Sequence, residues 1–267
     1  HIYGKTDADM AFGLAYAQAE DGWEILEESL PYYRGQAAEF FGKDAAATDY
    51  LVKWLGFWTV IERDYDALLK PETKRYLDAF AAGFNTFAAA HPERVTLDVL
   101  PVTPQDVIAA HMLRHPLFYG FERSISALRA ETRQFEVSEP PLLPKTAITL
   151  GSNATAVAPS RTENGSTLLM INSHHPLTGP VSWYEAHLQS GEGLNVMGGL
   201  FIGAPALGVG FSEHHGWGAT VNQPDLVDIF VLDMDPNDEN RYRLDGAWRD
   251  LEQIDIPIKV LLWGWLP

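Results

Sequence analysis

Leu150-Gly151-Ser152-Asn153-Ala154-Thr155-Ala156-Val157-Ala158 decides how the rest of the chain is read. A serine follows a glycine and opens a run of small and β-branched residues that reads as a buried strand. Upstream, Glu139-Pro140-Pro141-Leu142-Leu143-Pro144 cannot continue a helix and reads as an exposed spacer. A cut between Gly151 and Ser152 would make the serine a new amino terminus that carries its own base. A free α-amine titrates near about 8, so a useful fraction is neutral around pH 7 and can take the hydroxyl proton. Glycine before the cut lets the backbone pass close to the attacking hydroxyl, because no Cβ obstructs it.

Working outward, the pattern of the chain changes at this point. Thr6 followed by Asp9 resembles a capping box with aspartate in the place of glutamate, which predicts a helix start. Phe12, Tyr16, Ala19, Trp23, Leu26 and Leu30 then fall on one face, and Pro31 is expected to stop the helix. Glu20, Glu24 and Glu27 are expected to be solvated. A second helical stretch is expected over Asp44–Leu69. Pro71 opens a third, with Tyr76, Phe80, Phe84 and Phe87 inward. Thr103-Pro104 caps a fourth, which runs through Val107, Ile108, Met112 and Leu113 to a kink at Pro116. After the spacer, 166–171, 181–189, 194–197, 226–232 and 254–261 read as strands. Asn164-Gly165 is a turn between the first two strands of this half. The expected organisation is therefore α+β: residues 1–135 mainly helical, a spacer over 136–151, and mainly antiparallel strands over 152–267.

Composition narrows the function. The 267 residues suffice for an ample core, and no apolar run is long enough to span a bilayer. A net charge of −17 argues against nucleic acid or an anionic membrane as partner. The chain has no cysteine, which excludes thiol nucleophiles, thiolate metal sites and disulfides within it. Its start at His1, in what reads as a strand, and its apolar, uncapped end at 261–267 make a fragment of a longer protein the expectation. No signal peptide is visible.

Several separately spaced motifs agree with the serine reading. They are Gly151 to Thr162, Asn172-Ser173-His174, Gly216-Trp217-Gly218-Ala219-Thr220-Val221-Asn222 and Asp225-Leu226-Val227-Asp228. The helical half adds His1-Ile2-Tyr3, Asp9, Phe12-Gly13, Tyr16 and Gly35-Gln36-Ala37-Ala38-Glu39-Phe40-Phe41-Gly42. Together these resemble the penicillin acylase family of N-terminal-nucleophile hydrolases, with the nearest likeness to its acyl-homoserine-lactone acylase branch. The resemblance implies a sandwich of two antiparallel sheets between helical layers, of which this chain supplies the α chain and the opening of the β chain. It also implies a secreted or periplasmic enzyme that cuts itself at Gly151–Ser152. Such an enzyme would hydrolyse an N-acyl-homoserine lactone or a penicillin-like acyl amide through an acyl-enzyme on Ser152.

Each remaining site residue has a reading of its own beside what the resemblance implies. His174 ends a strand that can return it near Ser152, so a Ser–His interaction is expected; by resemblance it is the active-site histidine. The role of His175 is open. Val221 is implied as a backbone N–H donor to the oxyanion, with the second donor, an asparagine, beyond residue 267. Asp225 and Asp228 read as solvated or capping aspartates in a turn, whereas the resemblance implies a structural Ca²⁺ held by Asp225, Val227 and Asp228. A third carboxylate would be Glu122 or Glu131. Phe118, Tyr119 and Phe121 read as core packing or, by resemblance, as the wall of an acyl pocket. Thr155 stands near that pocket where relatives commonly have tryptophan. No organic cofactor is expected; the partners are the acyl amide and the two chains of one precursor.

Two other classes compete. One is a non-catalytic, calcium-stabilised secreted binding domain that is never cut. The other is a metal-dependent hydrolase built on His174-His175 and His214-His215. Adjacent histidines on a strand point to opposite faces, and no His-Glu-x-x-His segment occurs. Neither a Gly-x-Ser-x-Gly elbow nor Ser-x-x-Lys is present either.

Overall fold

A computed structural model describes residues 1–118 (side chains to 116), 151–220, 228 and 230–262. Helices come first and antiparallel sheets follow, as the sequence predicts. β1 (Ile2–Gly4) leads into α1 (Asp7–Arg34), whose first turn is closed by the expected box. Asp9 N–H donates to Thr6 Oγ1 at 3.1 Å and Thr6 N–H donates to Asp9 Oδ2 at 3.0 Å. Pro31 does not end this helix. The chain runs one more turn to Gly35, which adopts the left-handed conformation (φ 64°) and donates its N–H back to the last turn. The one break in helical geometry is at Gly22 (φ −155°), where Ile202 packs against the bare backbone.

The second stretch resolves into α2 (Ala37–Phe41), α3 (Ala46–Trp54) and α4 (Phe57–Leu68). Gly56, left-handed at φ 68°, separates the last two. Buried Asp49 accepts the Ala37 and Ala38 N–H groups, each at 2.8 Å, and so satisfies the start of α2. α5 (Pro71–Ala90) starts on its proline and buries Phe80, Phe84 and Phe87 against α1. α6 (Pro104–Phe118) is boxed by Thr103 and Asp106 and continues past Pro116.

Glu27 corrects the expectation of a solvated face. Its side chain is 1% exposed and accepts from Thr96 N–H (2.7 Å), Thr96 Oγ1–H (2.6 Å) and Leu97 N–H (2.9 Å). A buried carboxylate is tolerated when several donors replace its water. Glu20 and Glu24 are exposed as expected, with Glu24 paired to Arg94 at 2.8 Å.

The second half forms ten strands with β1 among the described residues. β2 (Gly151–Val157) and β3 (Leu168–His174) are an antiparallel hairpin. β4 (Trp183–Ser190), β5 (Asn195–Phe201), β6 (Val209–Ser212) and β7 (Gly216–Trp217) make a sheet in the order β1-β4-β5-β6-β7. β1 lies parallel to β4, and the other pairs are antiparallel. β8 (Asp233–Asp235), β9 (Asp238–Leu244) and β10 (Ala247–Asp250) form a separate three-stranded sheet. The Asn164-Gly165 turn is present, with Ser166 N–H on Asn164 Oδ1 at 3.1 Å, but it sits inside a longer connection with its own 3-10 turn at Pro159–Arg161.

Two expected strands differ. Of 226–232, the described residues 228 and 230–232 are not strand, and the strand begins at Asp233. Residues 254–261 run without a strand partner, because Pro257 has no N–H to give to a ladder. Instead Ile258 and Val260 pack on Ala37, Ala38 and Ala45, and Leu261 N–H donates to Ala38 O at 2.8 Å.

One loop ties the helical layer to the main sheet. Gly203 N–H donates to buried Gln18 Oε1 (2.7 Å), whose Nε2 donates to Ala204 O (3.2 Å). Arg114 donates to Ile202 O at 2.7 Å and Tyr76 Oη donates to Pro205 O at 2.6 Å. Three helices thus hold residues 202–205, the first part of the connection between β5 and β6. Gly203 is required there: its φ is +82°, and a Cβ would lie 3.0 Å from Leu26.

Candidate active site

The hairpin that carries Ser152 docks on this sheet through glycines. A Cβ on Gly216 would meet Leu169 at 2.8 Å, and one on Gly218 would meet Ile171 at 2.7 Å and Ala154 at 3.7 Å. Side chains alternate along a strand, so Ser152, Ala154, Ile171 and Leu169 share the face turned to this glycine edge. A groove of about 510 Å³ runs along it, walled by Leu169, Ile171, Val209, Phe211 and the His214-His215 turn. Ser152 is not among its lining residues.

The register decides how serine and histidine stand. Ser152 pairs with Ser173, and Gly151 pairs with His174. His174 therefore belongs to the opposite face from Ser152, and its ring stands on the Gly151 side of the peptide, away from the hydroxyl. The hydroxyl of Ser152 donates to the Gly151 carbonyl at 2.6 Å. The imidazole lies beside the glycine: a Cβ on Gly151 would be 3.3 Å from His174 Nδ1. Asn172, two residues earlier on the same face, stands with Nδ2 3.2 Å from His174 Nε2. With the amide donating, Nε2 is the acceptor and Nδ1 carries the proton on the Gly151 side. The hydroxyl and the imidazole thus flank the Gly151–Ser152 peptide from two faces. Asn172 was not singled out in the sequence, although the period of two from His174 is the signal that finds it.

His175 points the other way. Its ring packs on Phe201 (5.4 Å between centroids) and Trp183 (5.8 Å) and anchors the end of β3 to the main sheet. Burial, and then the neighbouring His174, hold its pKa below the ordinary histidine value. The two adjacent histidines are thus split between an anchor and an exposed ring beside Gly151. Among the described residues no group of three or more His, Asp or Glu could hold a metal ion.

Thr155 is exposed and shares the His174 face, away from the groove. The Phe118 side chain, Tyr119, Phe121, Glu122, Glu131, Val221, Asp225 and Val227 lie outside the described residues. Of the expected calcium set only Asp228 is described, and it is exposed. No helix of the described residues is long and apolar enough to cross a membrane.

Comparison with known proteins adds lineage to this geometry. The family model for penicillin amidase matches residues 1–261. An acyl-homoserine lactone acylase, PvdQ of Pseudomonas fluorescens, is 25% identical over 97% of this chain and 36% of its own length. A penicillin acylase 2 proenzyme of a Pseudomonas species is 38% identical over 34% of this chain and 12% of its own. A solved structure, a thermostable penicillin G acylase from Alcaligenes faecalis, aligns with TM-score 0.37 and 19% identity over 55% of this chain and 92% of that one. The chain therefore spans little more than a third (36%) of the lactone acylase it matches.

Proposed function

The chain belongs to the penicillin amidase family, and from that membership we propose that the full-length protein is a self-processing amidohydrolase with Ser152 as its N-terminal nucleophile. The observation that carries the reading is the Ser152 hydroxyl set against the Gly151 carbonyl, with the His174 ring beside that glycine. Processing begins when Oγ adds to the Gly151 carbonyl carbon. The peptide nitrogen leaves with a proton as the Ser152 amine, and an ester joins Gly151 to Oγ. Water then hydrolyses the ester and frees a carboxylate on Gly151 and the hydroxyl on Ser152.

In the cut enzyme the new amine appears on the bond that His174 flanks. The histidine is therefore assigned to the amine and not to the hydroxyl: it orients the base through its Nδ1 side, held in turn by Asn172. The amine accepts the hydroxyl proton, through water, as Oγ attacks the substrate amide carbonyl. Val221 N–H holds the developing oxyanion. The amine proton then passes to the leaving nitrogen, and water releases the acid.

The proposed substrate class is an acylated amine, which the relatives named for acyl-homoserine lactones and for penicillin support. Both leave a free amine when the amide is cut. Full-length enzyme incubated with a long-chain N-acyl-homoserine lactone, or with a penicillin, is expected to release primary amine and acid in equal amounts. Processed protein that releases no amine from either, or that only opens the lactone ring, overturns the reading. An exported location, periplasmic or secreted, belongs to the same proposal.

Calcium is proposed as a structural ion on Asp225, the Val227 carbonyl and Asp228. Two carboxylates and a carbonyl suit a hard cation, and an ion bound only by the folded state stabilises it. No chemical step uses it. The melting temperature is expected to rise with free calcium, and Asp225→Asn with Asp228→Asn is expected to remove the rise. A melting temperature indifferent to calcium and to chelator overturns the site.

A further inference from the structure

α6 carries His111 and His115 one turn apart on an exposed face. Their Nε2 atoms stand 3.0 Å apart, and the rings meet edge to face with centroids at 4.5 Å. Both rings offer the same atom to the same point, at hydrogen-bond distance with donor and acceptor set by the tautomers. We propose that this pair is a two-histidine clamp for a divalent transition metal of the copper(II) or nickel(II) class.

The geometry selects the class. An ion about 2.0–2.1 Å from each nitrogen would see the two at an angle of about 95°. Such an angle is that of cis positions on a square or tetragonal ion, and tetragonal nitrogen sites suit copper(II) and nickel(II). A tetrahedral zinc ion would hold the two nitrogens about 3.3 Å apart, so it fits less well. The helix supplies the spacing at no further cost, because residues four apart are neighbours on its surface. Arg114, adjacent in sequence, does not point its charge at the site. Its guanidinium is turned inward to the Tyr33 hydroxyl (3.0 Å) and the Ile202 carbonyl (2.7 Å). Neither Ser152 nor His174 is one of its ligands.

Full-length protein stripped with chelator and titrated with Cu²⁺ against a competing chromophoric chelator tests the clamp. His111→Gln and His115→Gln are each expected to weaken one copper equivalent by about tenfold or more, since the chelate loses its second arm. His91→Gln, just past the end of α5, is expected to leave that equivalent unchanged. In unsubstituted protein the electron paramagnetic resonance of this copper is expected to show two coupled nitrogens, and His115→Gln to leave one fewer. Equal copper affinity and stoichiometry in the two variants and the unsubstituted protein overturns the clamp. A spectrum with no nitrogen coupling that depends on His115 also overturns it. The two-nitrogen coupling of the unsubstituted protein is read without any variant having to keep its stability, and its absence overturns the clamp by itself.

Discussion

Full-length protein carrying Ser152→Ala is expected to remain a single chain, whereas the unsubstituted protein becomes two chains that part between Gly151 and Ser152. The serine hydroxyl already lies against the carbonyl it must attack, with Oγ 2.6 Å from Gly151 O. Alanine removes the attacking oxygen and little else, because position 152 is only half-buried in an otherwise exposed strand. Loss of cutting should therefore be complete, not partial. Purified protein, prepared without added protease, is read by intact mass. Two chains from Ser152→Ala, or an uncut unsubstituted protein, would rule out self-processing.

Blocking the amine should cost nearly as much while leaving every side chain in place. A protein matured with one extra residue on Ser152 keeps the hydroxyl, His174 and Asn172, but its amine has become an amide that accepts no proton near neutrality. Turnover is expected to fall by the value of general-base assistance, on the order of 10²–10⁴-fold, with substrate binding changed much less. In the unblocked enzyme kcat/KM should decline toward acid as the amine takes a proton and loses its lone pair. An enzyme activated by histidine alone would ignore the block. Normal rates of amide hydrolysis by the blocked protein would therefore discard the N-terminal nucleophile, whatever happens to Ser152→Ala.

What could be read from the sequence is what short spacing controls. The Thr6–Asp9 box, the proline start of α5 and the Thr103 cap of α6 join residues three apart or closer, and each is found where its pattern stands. The change from helices to strands across the Pro-rich spacer is legible for the same reason, because periodicity is a property of neighbouring residues.

Tertiary structure decided the rest. Glu27 repeats along the helix with Glu20 and Glu24, and only donors from Thr96 and Leu97, 69 and 70 residues away, make it a buried ligand of the backbone. Residues 254–261 have the composition of a strand, yet a strand needs a partner, and α2 offers them a packing surface instead. The loop between β5 and β6 is held by Gln18, Tyr76 and Arg114 on three helices, which no local pattern announces. His174 shows the limit most sharply. Its nearness to the cut was readable, but its face was not. One residue of register separates a histidine beside Ser152 from one beside Gly151. Register belongs to the pairing of two strands, and a one-residue shift turns every side chain to the other face.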